Sequence, residues 1–198
     1  VLDVYFNTRK YRENEKVIAE STERILEMLG LTQVKDELAK NLPHGYQKIL
    51  GVARAVATQP KLLMLDEPTS GMDPVARDEL MDMLRQYIAD GEKSVLFSTH
   101  ITSDLERAAD FITYIRNGQL FFTGPTDELL EGWRLLKGGR SELTNELREK
   151  IVGLREHHAG FDGLVKAKDF PAPPDGCVLD QASIEDIMLY TAKEAMPS

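Results

Sequence analysis

The pattern of apolar and polar positions predicts alternating helices and strands along the middle of the chain. A continuous apolar run at residues 62–65 is bounded by polar and helix-breaking residues. Such a run is typical of a short strand buried on both faces, as in a parallel sheet. A second run at 95–97 predicts another buried strand. Between them, apolar residues recur at helical spacing on one stripe formed by Leu80, Met83, Leu84, Tyr87 and Ile88. The order strand, helix, strand predicts an α/β fold.

Helix-ending and turn residues set the limits of further elements. A helix is predicted from residue 13, where apolar residues begin to recur at three, four and seven positions, and Gly30 ends it. Another helix, rich in small apolar residues, is predicted over 47–58. Asn117-Gly118 stands between the apolar segments 111–115 and 120–122, and this dipeptide is the strongest short-range signal for a β-hairpin.

The most distinctive polar residues follow the first predicted strand. Asp66 and Glu67 lie at its end, and their side chains point to opposite sides if both keep strand geometry. Open α/β sheets bind their ligands at this edge. His100 follows the second strand and would lie at the same edge. Taken alone, the acidic pair also fits a core strand followed by an acidic turn, and a single histidine after a strand is usually structural.

Composition excludes several classes of function. The 198 residues are 42% hydrophobic and carry a formal net charge of −9, which disfavours general attraction to nucleic acid or anionic lipid. One cysteine, Cys177, forms no intrachain disulfide and fits a reducing compartment. Residues 1–12 lack the apolar core of a signal peptide, and no apolar stretch approaches the length of a membrane span. We therefore expect any role at a membrane to depend on a partner.

Four ordered features between residues 42 and 100 together resemble the ATP-binding cassette (ABC) ATPase family. In that family a signature segment precedes the Walker B strand with its glutamate, then a D-loop, then a histidine. Here the signature is Leu42, Pro43, His44, Gly45, Tyr46 and Gln47, and the D-loop is Ser70, Gly71, Met72 and Asp73. The signature departs from Leu-Ser-Gly-Gly-Gln, losing the serine and the first glycine. Importer ATPases for branched-chain amino acids look similar at this place.

The resemblance implies a P-loop NTPase-type parallel-sheet core, with ATP and Mg²⁺ as cofactors. Asp66 would hold Mg²⁺ through water, Glu67 would polarise the attacking water, and His100 would sense the γ-phosphate. The signature would contact ATP held by the opposite subunit, since a glycine at a helix start lets the backbone approach an anion. The D-loop would cross to that subunit. Asp73 also fits a plain helix N-cap with Pro74 at the first position, and both interpretations are compatible.

The resemblance also divides the chain. Residues 1–132 are predicted to be the C-terminal portion of an ABC ATPase domain, with a helical subdomain at 13–58 and the Walker B, D-loop and H-loop core at 59–132. Residues 133–198 are predicted to form a small α+β accessory domain, similar to the C-terminal extension of exporter-type subunits. Within it, we expect a charged helix over 141–156, a strand over 161–168, and a final helix whose capping box begins at Ser183.

One family motif is missing from these 198 residues. None of the 14 glycines is followed by lysine, so the Gly-x-x-x-x-Gly-Lys-Ser/Thr loop that cradles phosphates is absent, and the core is expected to be incomplete at its N-terminal side. The expected function is therefore ATP hydrolysis in a full-length ABC transporter subunit, with this chain alone inactive. Its partners would be a transmembrane permease and a second ATP-binding subunit, at the cytoplasmic face of the membrane. The alternative is a non-catalytic interaction module on a cassette scaffold.

Overall fold

The structure, a computed structural model, describes the backbone of residues 8–194 and the side chains of residues 8–192. The chain separates into two compact units, Val1–His100 and Ile101–Ser198. The predicted domain boundary at residue 132 rests on family resemblance and stays a prediction. The first seven and last four positions of those predicted domains lie outside the described residues.

The first unit places a parallel pair of strands beside helices. Its elements are α1 (Arg9–Met28), α2 (His44–Val56), β1 (Leu62–Asp66), α3 (Pro74–Ile88) and β2 (Ser94–Ser98), with 3₁₀ turns at Thr32–Val34 and Ala39–Asn41. β1 and β2 run parallel, with Leu63 opposite Val95 and Asp66 opposite Ser98. The predicted α/β arrangement with parallel strands is confirmed.

Local sequence accounts for the helix ends in this unit. Gly30 has φ +65°, and the N–H groups of Gly30 and Leu31 donate to the carbonyls of Glu27 and Leu26, which is the Schellman pattern of a helix C-terminus. At the start of α3, Asp73 Oδ1 accepts the N–H groups of the second and third helical residues, each at 3.1 Å, and Pro74 occupies the first position. Both predicted signals are confirmed.

Burial of β1 on both faces is not confirmed. Leu63 is 3% exposed, but Leu62 and Met64 are 51% and 69% exposed, and Leu96 of β2 is 56% exposed. Side chains alternate along a strand, so these three residues share one face of the two-stranded sheet. In the part of the chain that the structure describes, helices shield only the other face. An uninterrupted apolar run therefore predicted the strand correctly and its burial wrongly.

The second unit contains a hairpin and an antiparallel sheet. Its elements are α4 (Thr102–Ala108), β3 (Phe111–Arg116), β4 (Gln119–Pro125), α5 (Thr126–Glu131), β5 (Trp133–Gly138), α6 (Asn145–Lys150), β6 (Val152–His157), β7 (Gly160–Lys166), β8 (Cys177–Gln181) and α7 (Ile184–Glu194), with 3₁₀ turns at Arg140–Glu142 and Ala167–Asp169. β3 and β4 form the predicted hairpin, whose turn residues Asn117 and Gly118 have φ +50° and +74°. The other four strands pair antiparallel in the order β6-β7-β5-β8.

Both faces of this four-stranded sheet are covered. Neighbouring residues on β5 and β7 point to opposite faces, so Leu135 and Leu164 join one core, while Leu136 and Val165 join the other. The first core also contains Trp133 and apolar residues of α7 and the hairpin. The second is closed by side chains including Ile151, Phe161 and Phe170. The central strands of the sheet are therefore the best buried part of the unit.

The predicted helix over 141–156 is confirmed only at Asn145–Lys150, since a 3₁₀ turn stands at its predicted start and a strand replaces its end. Helix α6 ends at Lys150, and the following residues form the edge strand β6, which pairs with β7. Gly153 has φ +67° and lies where the register shifts, so it makes a bulge that a helix does not accommodate. The helix was predicted from three apolar residues spaced by four, Leu143, Leu147 and Ile151. Backbone hydrogen bonds to β7 stabilise residues 152–157 as a strand instead.

The start of α7 follows its predicted capping box. Ser183 Oγ accepts the N–H of Asp186 at 3.0 Å, and Asp186 Oδ2 accepts the N–H of Ser183 at 3.0 Å. Aspartate thus replaces the usual glutamate of the motif. Among the residues that the structure describes, no helix has the length and apolar character needed to span a bilayer.

Candidate functional site

The candidate site lies where the two parallel strands of the first unit end. Asp66 is the last residue of β1, Ser98 is the last of β2, and the two face each other in the register. The next backbone contact extends the pairing, since the N–H of Glu67 donates to the carbonyl of Ser98 at 3.0 Å. The C-terminal ends of both strands are therefore held together, at the edge where parallel sheets bind ligands.

Two side-chain contacts join the strands at this edge. The Ser98 hydroxyl donates to Asp66 Oδ1. His100 Nδ1 lies 2.9 Å from both carboxylate oxygens of Glu67, with the hydrogen bond directed to Oε1. The His100 side chain is 72% exposed and that of Glu67 is 37% exposed. The structure thus brings Asp66, Glu67 and His100 together, as the sequence analysis expected.

One oxygen of Glu67 is left without a hydrogen bond. Oε2 is buried and accepts no hydrogen bond of its own from the described residues, although it lies 2.9 Å from His100 Nδ1 within the ion pair. A buried carboxylate oxygen in this state bears a desolvation cost that a water, a metal-bound water or a phosphate-linked group would relieve. The arrangement therefore suits a carboxylate that takes up a further partner during function.

The backbone at Glu67 is unusual as well. Its φ of +45° lies in the left-handed region, which non-glycine residues adopt at a cost of about 1–3 kcal/mol and which clusters at functional sites. A tight turn follows, in which the N–H of Ser70 donates to the carbonyl of Glu67 and that of Met72 donates to Thr69. Gly71 has φ +73°, which glycine adopts without strain. This turn is the segment predicted as the D-loop.

The signature segment forms the start of α2. The helix begins at His44, earlier than the predicted start at Gln47, so Gly45 lies inside the first turn and not before it. Pro43 precedes the helix, and no side chain caps its first N–H groups. Gln47 Nε2 donates to the carbonyl of Leu42 at 2.7 Å, which closes the segment on itself. Uncapped N–H groups at a helix start suit an anion.

The signature segment and the D-loop are neighbours within this unit. A Cβ placed on Gly71 would lie 3.7 Å from the ring of His44, and one on Gly45 would lie 3.7 Å from the Cβ of Ala76. Met72 is 5% exposed and anchors the loop, whereas Pro43 and His44 are exposed. The signature segment and the D-loop thus share one surface. On it, His44 packs against Gly71 of the D-loop.

Sequence analysis missed two contributors to this site. Ser98 is the last residue of β2, and only the strand register shows that its hydroxyl faces Asp66. Lys48 stands within a helix of mostly apolar residues and belongs to no motif. It lies three positions after Gly45 and four before the buried Val52, and that spacing indicates a half-buried side of α2. Its Nζ donates to the carbonyls of Glu67, at 3.2 Å, and Ser70.

Comparison with known proteins assigns the family. Residues 3–70 match the family model of ABC transporters. The ATP-binding protein YxlF of Bacillus subtilis (strain 168), an uncharacterized ABC transporter protein, is 32% identical over 141 residues, which are 71% of this chain and 45% of that protein. The chain belongs to the ABC ATPase family. The methionine import ATP-binding protein MetN of Rhodopseudomonas palustris (strain BisB5) is 35% identical over 152 residues, which are 77% of this chain and 38% of that protein.

Solved ABC structures agree with this assignment. CbiO1 of Clostridium perfringens, part of the ABC transporter complex CbiONQ, superposes with a TM-score of 0.53 at 26% identity, over 58% of this chain and 46% of that chain. An ATP-binding cassette of an ABC transporter in its ADP conformation superposes with a TM-score of 0.51 at 28% identity, over 56% and 43%. The chain spans less than half the length of the curated relatives named above.

Proposed function

We propose that this chain is the part of an ABC transporter ATP-binding subunit that carries its hydrolytic groups and its signature segment. The observation that carries the proposal is the joining of Asp66 and Glu67, at the end of β1, to Ser98 and His100, at the end of the parallel strand β2. ATP hydrolysis by the whole subunit would drive a permease that moves a substrate across the membrane.

The oxygen donors at this edge fit Mg²⁺. Mg²⁺ keeps several waters and takes one or two carboxylates together with substrate phosphates. Asp66 supplies such a carboxylate, oriented by the Ser98 hydroxyl, and Glu67 supplies a buried oxygen with no hydrogen-bond partner. Among the described residues, no group of three or more histidine, cysteine, aspartate or glutamate side chains could hold a metal ion. With ATP bound, Mg²⁺ would neutralise charge on the β- and γ-phosphates.

Glu67 and His100 would divide the remaining work. Glu67 would orient and polarise the attacking water through its carboxylate. His100 keeps that carboxylate in place through Nδ1, and its other ring nitrogen would meet the γ-phosphate. Imidazole donates from both nitrogens only when protonated, so donation to carboxylate and phosphate together uses the imidazolium form. The exposed position of His100 allows a phosphate to approach.

The signature and the D-loop would act across a pair of subunits. Leu42–Gln47 would present the uncapped N–H groups of α2 to ATP held by a second ATP-binding subunit, and Ser70–Asp73 would meet that same subunit. The phosphate-cradling loop, absent from these 198 residues, would come from another part of the protein. The permease would set the transported substrate, and the subunit would work at the cytoplasmic face of the membrane without crossing it.

The first experiment measures equilibrium binding of Mg²⁺-ATP to this chain and to the full-length protein from the same gene. We expect no binding to this chain up to millimolar ATP, because its phosphate contacts are incomplete, and micromolar binding to the full-length protein. Absence of binding in both would favour the alternative, a non-catalytic interaction module.

The second experiment measures ATP hydrolysis by the full-length protein carrying Glu67→Gln. The expected result is a fall in kcat of about 10²–10⁴-fold with ATP binding retained, since general-base catalysis contributes factors of this size. Glu79→Gln is the matched control, because Glu79 is an exposed glutamate on α3. Unchanged kcat in Glu67→Gln would overturn the assignment of the base.

A further inference from the structure

Lys48 connects the signature helix to the catalytic loop. It belongs to the second turn of α2, is half-buried, and donates through Nζ to the backbone carbonyls of Glu67, at 3.2 Å, and Ser70. An ammonium group offers three N–H donors, and hydrogen bonds from a charged donor are stronger than neutral ones. One side chain thus spans both ends of the turn between β1 and α3.

The turn needs such support because its first residue is strained. Glu67 has φ +45° without being glycine. Its N–H is held by the carbonyl of Ser98 at 3.0 Å, and its own carbonyl accepts from Ser70 N–H at 3.3 Å and from Lys48. Residues in sparsely populated backbone regions persist when surrounding contacts hold them. Strand β2 therefore restrains one side of the Glu67 peptide, and Lys48 restrains the other.

We propose that Lys48 is a positioning residue for the Glu67 carboxylate. The proposal rests on the function proposed above. By holding the Glu67 and Ser70 carbonyls, Lys48 keeps the Glu67 backbone in the conformation from which its side chain reaches His100. Lys48 itself touches no reacting atom.

Side-chain chemistry provides matched variants for a test. Lys48→Met keeps most of the apolar stem and removes the N–H donors, whereas Lys48→Arg keeps a charged donor group. The control is Lys16→Met, because Lys16 lies on α1 in the same unit with its side chain 78% exposed. If the missing N–H donors are the cause, Lys48→Met shows faster amide exchange in the turn and a lower kcat. Lys48→Arg recovers part of both, and Lys16→Met shows neither change.

The first measurement is amide hydrogen exchange in this chain, which needs no ATP. Lys48→Met is expected to raise exchange at Ser70 and Met72, whose N–H groups hold the turn, by about tenfold or more over the wild type. Exchange in the helical part of α3 should not change. An equal rise throughout the first unit would mean a general loss of stability and would overturn the proposal, as would unchanged exchange at both amides.

The second measurement is ATP hydrolysis by the full-length protein. A misplaced catalytic group costs between about 10- and 100-fold in rate, so Lys48→Met should lower kcat by this factor while KM for ATP stays unchanged, with partial recovery in Lys48→Arg. If Glu67→Gln abolishes hydrolysis but Lys48→Met does not lower kcat, the positioning role is overturned and the proposed function stands. If the wild-type protein hydrolyses no ATP, both are overturned, because Lys48 then has no catalytic group to position.

Discussion

Leu164 offers the clearest test of the core in the second unit. It is fully buried on β7, opposite Leu135, and packs in the core that contains Trp133. Leu164→Ala removes three buried carbons, worth about 2.4 kcal/mol at about 0.8 kcal/mol for each. The cavity left behind raises the expected loss in the free energy of unfolding to about 3–5 kcal/mol.

The assay is urea unfolding followed by tryptophan fluorescence. Trp133 is the single tryptophan of the chain, is 6% exposed, and therefore reports on the same core. With a slope of about 1–3 kcal/mol per molar urea, the midpoint should fall by about 1–5 M. Leu120→Ala is the matched control, because Leu120 is 62% exposed in the hairpin. Equal midpoint shifts in the two variants, at unchanged slope, would refute the reasoning.

Two further predictions use the same urea assay. Ser183→Ala removes both hydroxyl contacts of the capping box and should lower the free energy of unfolding by about 1 kcal/mol. The control Ser141→Ala, at an exposed serine, should change it little. Equal losses in the two variants would contradict a capping role. Burial, and then the carboxylate of Asp162, raise the pKa of Tyr190 to about 12. This folded-state pKa lies above the ordinary value of 10.0, so Tyr190 makes its full contribution to the free energy of unfolding below pH 10. About 2–3 kcal/mol of that free energy is lost as the pH rises from 10 toward 12. Tyr190→Phe should lack that part of the decline, and an unchanged pH dependence would contradict it.

The candidate site was predictable in its residues and unpredictable in its contacts. The order of signature, acidic pair, D-loop and histidine is a property of the sequence, and it predicted Asp66, Glu67 and His100 as site residues. The hydrogen bond between Glu67 and His100 joins residues from two strands, and no spacing along the chain specifies its geometry. The contacts of Lys48 were missed for the same reason, because its partners are backbone carbonyls, which carry no residue type for a motif to show.

Elements governed by short-range contacts followed from the sequence by itself. The Asn117-Gly118 turn, the Gly30 helix end, the Asp73 cap and the Ser183 capping box each depend on residues within five positions of one another. Their hydrogen bonds join groups that are close in sequence, so the residue types nearby are enough to specify them. The sequence therefore determined these particular helix ends and this chain reversal.

Tertiary structure decided the elements whose partners are distant in sequence. Strand β5 was not predicted from its short mixed sequence, yet it is central, because β7 and β8 supply its hydrogen bonds and two cores cover its faces. Residues 152–157 were predicted as the end of a helix, but they form a strand that pairs with β7, with a bulge at Gly153. The exposed face of β1 is a further example. An apolar run favours a buried strand, but whether its side chains are buried depends on which other elements pack against them.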